Sequence, residues 1–500
     1  MSILDREATV APPGYNRWLV PPAALAIHLA IGQIYAFSVF KLPLTKILGV
    51  TKHISGPKFE DSFSGSLQSA FDMAVTRTYD WEQSPIAWIF SIAIVFLGLS
   101  AAVFGKWVER SGPRKTMIAS GLCFGGGFAI GALGIHLHQL WIIYLGYGVV
   151  GGIGLGLGYI APVSTLVKWF PDRPGMATGM AIMGFGGGAF VGSNLATTLM
   201  DHFQALSKNE AGAITNIGVA PTFLVMGGIY LLFALFGALI ARVPANDWKP
   251  AGYDPSHARQ SALITTKQVA LEQAWRTPLF WFLWVVLCFN VTAGIGILEQ
   301  ASPMIQEMFA GKVNAAAAGG YVALLSLFNM AGRFVWSSTS DFIGRKGVYI
   351  IYLLLGAALY CLIPFAGKSG NVVLFVGITA IIISMYGGGF ATVPAYLKDL
   401  FGTMNVGAIH GRLLTAWSVA GVLGPLLVNL IRDHKIADGL KGVDVYSTTM
   451  YLMAGLLIVG LICNLSIRPV AERFYYNDAN ADAKPGVPAS QAAPYSPTAR

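Results

Sequence analysis

Twelve stretches of about twenty apolar residues recur along this chain, each long enough to cross a bilayer as a helix. They fall near 18–40, 83–105, 116–136, 140–163, 174–200, 220–242, 278–300, 316–338, 347–367, 372–396, 408–431 and 446–468. Most connections between them are short, as antiparallel neighbours require. The expectation is an all-α membrane protein with twelve transmembrane helices.

Composition supports this: 55% of the residues are hydrophobic and only 11% charged, too apolar for a soluble enzyme of 500 residues. The net charge of +9 does not indicate nucleic acid, because no basic cluster with interleaved aromatics exists and Lys and Arg sit between the apolar stretches. With the N-terminus inside, most of the 33 Lys and Arg residues fall in inner connections, which places both termini in the cytoplasm. The four cysteines lie inside apolar stretches without CxxC spacing, so neither disulfides nor a metal is expected. No cofactor is implied, and the first apolar stretch lacks a cleavage site and is retained as a helix.

Three connections are long. Residues 41–83 form an exposed outer loop, with a short interfacial helix expected around Leu67 to Val75. Residues 243–277, with Pro244, Pro250 and Pro255, link two groups of six spans, 18–242 and 278–468. An arm, 1–17, precedes the first group. The tail, 469–500, is rich in Pro, Ala and Ser and is expected to be disordered.

The two groups repeat each other. Glu109 and Asp341, Gly112 and Gly344, and Arg114 and Lys346 share one offset of 232 positions (341 − 109), as do Gly156 and Gly388, Pro162 and Pro394, Gly179 and Gly411, and Gly192 and Gly424. One register across six helices implies two six-helix bundles in parallel repeat, with substrate bound between them near the midplane.

Arg333 is the one basic residue deep within an apolar stretch. A charge there costs about 3 kcal/mol on insertion scales, so it is kept where it faces a cavity or a partner. Eight residues, roughly 12 Å of helix, separate it from Asp341, which makes snorkelling to the surface awkward.

The loops Gly105 to Lys115, with Glu109, Gly112 and Arg114, and Ser337 to Gly347, with Asp341, Gly344, Arg345 and Lys346, resemble the signature loop of the major facilitator superfamily. Longer segments narrow this. GQIYAFSVFKLPL from Gly32, SPIAWIFSIAIVFLG from Ser84, GGIGLGLGYIAPVSTLVKWFPDRPGMATG from Gly151 and FNMAGRFVWSSTSDFIGR from Phe328 resemble the oxalate/formate antiporter family and its monocarboxylate-transporter relatives.

The resemblance implies that Arg333 binds the substrate carboxylate, a role its planar fork suits. It also implies, for the dianion exchanger, a lysine in the eleventh span where this chain carries Trp417. One buried cation matches one carboxylate, which favours lactate, pyruvate or formate over oxalate. Where some proton-linked relatives place an aspartate one turn before the arginine, this chain has Asn329, which cannot titrate. His28 and Glu299 are then the groups available to couple a proton. Gln33, Tyr35, Tyr159, Tyr386 and Trp417 are further candidates for contact with a small anion.

The glycine runs at Gly151, Gly184 and Gly387 lack the ending of a phosphate loop and read as close helix packing. The expected function is secondary active transport of a small carboxylate by alternating access, coupled to a proton or a counter-anion, by a monomer in a bacterial inner membrane. An enzyme would need clustered titratable groups, a sensor a folded soluble domain, and a sugar or cation carrier more mid-span carboxylates or amides. None of these is seen in the sequence.

Overall fold

The computed structural model describes residues 3–49, 71, 74–75, 78–81, 83–207, 217–245, 248–253 and 263–476. Helices dominate, and among the described residues pairing between extended segments is confined to two isolated bridges. Ten helical segments are long and apolar enough to cross a membrane. One of them, Gln83–His136, holds two spans that turn at Gly112, whose φ of 78° suits glycine. An eleventh helix, Ala315–Ile343, is made more polar by its Ser, Asn and Arg residues.

The twelve spans are therefore α1 (Arg17–Leu44), α2 (83–111), α3 (113–136), α4 (Leu140–Trp169), α5 (Pro174–Leu206), α6 (Val219–Ile240), α7 (Pro278–Met308), α8 (Ala315–Ile343), α9 (Arg345–Lys368), α10 (Val372–Phe401), α11 (Val406–Ala437) and α12 (Val443–Leu465). Caps set several starts: the side chains of Thr277, Asn314 and Asn371 accept from backbone N–H groups in the first turns of α7, α8 and α10. Gly344, with φ of 89°, makes the α8–α9 turn as Gly112 makes the α2–α3 turn.

The bundles meet along two seams, α2 with α11 and α5 with α8, and α4 and α10 add contacts at the centre. Glycines let these seams close. A Cβ on Gly105 would lie 2.8 Å from Ala408, and one on Gly186 3.1 Å from Met330, while Gly175 and Gly179 lie against Ser337. The apolar side chains left on the outside, such as Val103, Leu232, Phe365 and Val373, fit a lipid-facing surface.

The described ends of the chain lie on one face, where the arm, the linker and residues 469–476 pack together. Val10 pairs with Val243, Arg17 forms a bidentate pair with Asp172, and the Val269 amide donates to Phe401. Residues 469–476 depart from the expectation of a disordered tail. They include a helical turn, Glu472–Phe474, and the Tyr476 amide donates to the carbonyl of Gln268. Residues 477–500 lie outside the described residues, as do most of the interfacial helix expected at 67–75 and most of the 41–83 loop. Where that loop resumes, Asp80 accepts from the Leu48 amide and Trp81 stacks on His138 at 4.2 Å.

One linker residue touches both bundles. Glu272 accepts from Lys106 of α2 at 2.5 Å and from Arg412 of α11 at 3.0 Å, and these bonds hold its carboxyl down at about 2. A carboxylate with a lowered pKa contributes stability that is fully present above its ordinary value of 4.5 and is lost as pH falls from there through about 2. Melting curves of Glu272→Gln and the parent should therefore differ by a constant amount from pH 8 to 5. A gap that closes on acidification within that window would contradict the clasp.

Candidate functional site

Arg333 lies in α8, fully buried where α8 crosses α5. Its Nε donates to Asn329 Oδ1 one turn earlier, at 3.1 Å, and its Nη1 donates to the Ile182 carbonyl of α5 at 3.4 Å. Nη2 has no partner. The guanidinium sits between the rings of Phe185 and Phe390, at 5.5 and 5.4 Å. Among the described residues no carboxylate pairs with it, so a full positive charge is held in an aromatic setting with one donor free. Charge buried this way is costly unless an anion completes it.

Four of the aromatic residues singled out in the sequence gather around it. Trp417 packs 4.5 Å from Phe390 and 5.4 Å from both Phe185 and Tyr159. Tyr35 of α1 and Tyr386 of α10 join hydroxyls across the bundle interface at 3.0 Å. The Arg333 guanidinium faces the hydroxyls of Tyr35 and Tyr159, and the Trp417 indole faces that of Tyr35.

A cavity of about 250 Å³ opens beyond this cluster, toward the face opposite the termini. Tyr35, Gly186 and Asn329 belong to its lining, and Lys41 and Glu299 bring charge to its wall. Arg333 lies just beyond Asn329. The Tyr35–Tyr386 pair thus spans the two bundles between cavity and arginine. Removing one hydroxyl costs about 1 kcal/mol, roughly fivefold. Tyr35→Phe and Tyr386→Phe should each change uptake by no more than about that factor, and the double variant by no more than either, because one bond is lost in all three. Additive losses would show that the hydroxyls act separately.

Glu299 is partly buried in the cavity wall, with Asn429 and Lys41 nearby. His28 lies two turns before Tyr35, its Nδ1 3.0 Å from the Ala24 carbonyl and its ring 5.4 Å from Tyr159. Gln33 is elsewhere. It is buried inside the first bundle, where Oε1 accepts from Tyr147 and the chain packs on Gly192, because the α1 face that carries it turns away from the interface. His410, two turns before Trp417 on α11, is buried against the Tyr159 ring at 5.8 Å, a contact that sequence reasoning passed over. Its signal was spacing: it precedes Trp417 by seven residues, two helical turns.

The signature loops seal the terminus-bearing side. Asp341 accepts from the Gly175 and Met176 amides at the start of α5, both at 2.9 Å, and from Arg345 at 2.6 Å. Arg345 reaches on to Asp399 at 3.1 Å and also bonds Ser340. In the other half Glu109 accepts from Ser164, from Lys168 at 2.6 Å and from the Gly407 amide at the start of α11. Each half therefore caps a helix of the other with its loop carboxylate. Arg114 and Lys346 instead donate to carbonyls, of Ile3 and Ala238 and of Leu465 and Ile467 respectively.

A profile of the Major Facilitator Superfamily matches residues 59–425 and 301–492. This chain belongs to the major facilitator superfamily. Within it, the chain is 26% identical to the oxalate:formate antiporter of Oxalobacter formigenes over 82% of its own length and 83% of that protein. It is 23% identical to monocarboxylate transporter 4 of Rattus norvegicus over 77% and 78% of the two chains. The solved proton:xylose symporter XylE shares the fold with a TM-score of 0.64 at 13% identity, covering 91% of this chain and 96% of that one. The protein is thus a multi-pass membrane transporter of this superfamily and not an enzyme. The loops that carry Glu109 and Asp341 stand at matching places in the two halves, and Arg333 stands at the interface between α5 and α8.

Proposed function

We propose that the protein carries small monocarboxylates across the membrane by alternating access, with Arg333 as the carboxylate-binding residue. The observation that carries this reading is the buried guanidinium between the bundles, with Nη2 free and a cavity adjoining. A carboxylate that neutralises it lowers the cost of passing the site through a dry, occluded state, so the bundles rock when loaded. Asn329, Tyr35, Tyr159, Tyr386 and Trp417 surround the substrate, while Gln33 serves packing. The moving units are 18–242 and 278–468, joined by 243–277. The terminus-bearing face is cytoplasmic in a bacterial inner membrane, the sealed loops hold an outward-facing state, and a monomer is sufficient.

Monocarboxylates are favoured over oxalate because Trp417 stands where the dianion exchanger has its second cation. Similarity to the oxalate:formate antiporter supports exchange as the second reading. Coupling is to a proton, carried on His28 or Glu299, or to a counter-anion. Uptake of labelled lactate, formate and oxalate into proteoliposomes separates these, with and without an inward proton gradient and with each anion preloaded. Gradient-driven lactate or formate uptake gives symport. Uptake that requires internal oxalate or formate gives exchange. No uptake of any of the three sinks the carboxylate reading.

A further inference from the structure

Lys106 and Arg412 are both cations, and they meet from opposite bundles over the α2–α11 seam, where Gly105 closes on Ala408. Both contact one oxygen, Glu272 Oε1, at 2.5 and 3.0 Å, so their nitrogens stand no farther apart than those two bonds allow. Like charges that close repel each other. Glu272 belongs to the linker and to neither bundle, and it is what turns this meeting into an attraction.

The linker itself is tied to the second bundle. Gln268 Oε1 accepts from the Met404 amide just ahead of α11, and the Val269 amide donates to the Phe401 carbonyl at the end of α10. Arg412 donates to both oxygens of Glu272 and lies 5.3 Å from the Trp275 ring. Lys267 pairs at 2.6 Å with Glu472, beyond α12.

Exposure separates this clasp from the other closures of the same face. Lys106 and Glu272 are 51% and 36% exposed, whereas the loop carboxylates Asp341 and Glu109 are 9% and 13% exposed. Salt screens exposed charges and leaves buried ones largely untouched.

We propose that the linker is a strap in which Glu272 is the shared counter-ion of Lys106 and Arg412, making the opening of the terminus-bearing face responsive to the ionic strength of the compartment it faces. When the bundles part, Glu272 travels with Arg412 and the Lys106 bond breaks. Concentrated salt weakens that bond, so the face opens more readily as the compartment loses water or gains ions. This rests on the alternating-access reading above and not on the identity of the substrate.

The test reads opening at a distance from the strap. Ser337 is buried in the other seam, against Gly175 and Gly179. The full chain is placed in nanodiscs with its four native cysteines replaced, and the maleimide labelling rate of Ser337→Cys is followed as KCl rises. Going from about 0.1 M to about 1 M shortens the screening length from about 10 Å to about 3 Å. The parent background should label about two- to fivefold faster at high salt, the worth of one exposed pair. Lys106→Gln should label at the fast rate at both salt concentrations. Glu272→Gln leaves Lys106 facing Arg412 without a counter-ion, so it should label fastest at low salt and slow down as salt screens the repulsion. General loosening of the fold does not produce that inversion of sign. A parent rate that ignores salt, while Asp341→Asn still raises it, overturns the strap alone. So does a Lys106→Gln or Glu272→Gln variant that keeps the parent's salt response. A cysteine unreactive in every background, Asp341→Asn included, overturns the opening of this face and with it the alternating-access reading. The experiment contains no carboxylate substrate, so failure of the substrate assignment shows in uptake and not here.

Discussion

Arg333→Gln is expected to cut carboxylate uptake by roughly a hundredfold or more, since breaking a buried charged pair with the substrate forfeits both the Coulombic attraction and a bidentate hydrogen bond. Arg333→Lys should fall between, losing about tenfold, because a point charge replaces the fork and the amine cannot hold Asn329 and Ile182 while also meeting the substrate. The measurement is initial uptake in proteoliposomes, with equal amounts of inserted protein shown by quantitative blot. Removing an unpaired buried charge also relieves desolvation, so the Gln variant should melt no lower than the parent. Low uptake with a raised or equal melting temperature separates a binding role from a structural one. Normal uptake by Arg333→Gln would refute the binding role outright.

Asp341→Asn should open the terminus-bearing side. The carboxylate receives two amides at the start of α5 and the Arg345 guanidinium, and α5 and α8 belong to different bundles. An amide keeps one accepting oxygen and no charge, so the closed arrangement loses about 2 kcal/mol, roughly thirtyfold in population. Ser337 reports this, because it is buried in the α5–α8 seam against Gly175 and Gly179. With the four native cysteines replaced, Ser337→Cys should react with a membrane-impermeant maleimide about thirtyfold faster in the Asp341→Asn background. Glu109→Gln should act in the same direction through α11, whose Gly407 amide it releases. Unchanged labelling in both would mean that the loop carboxylates serve folding and not the closed state.

Some features could be read with the chain unfolded in mind. Twelve spans, the repeat and the placement of Arg333 at mid-depth follow from length, from a constant offset and from the price of a charge in hydrocarbon, all of which are properties along the chain. The loop carboxylates were also visible, although not that each caps a helix of the opposite half. His410 and the Lys106–Glu272–Arg412 clasp were not visible, because each depends on residues far apart in sequence meeting across the interface.

Depth along each helix, and so the existence of the spans and the mid-membrane arginine, was determined by the sequence alone. Azimuth was decided only by the tertiary structure. Gln33 and Tyr35 are two positions apart on α1, yet one turns into its own bundle and the other meets Tyr386 of the second bundle. The physical reason is that a membrane helix is apolar on the side facing lipid and on the side facing protein, so hydrophobic periodicity does not mark which face looks inward. Close packing at glycines and the pairing of buried polar atoms make that choice, and both exist only once the helices are assembled.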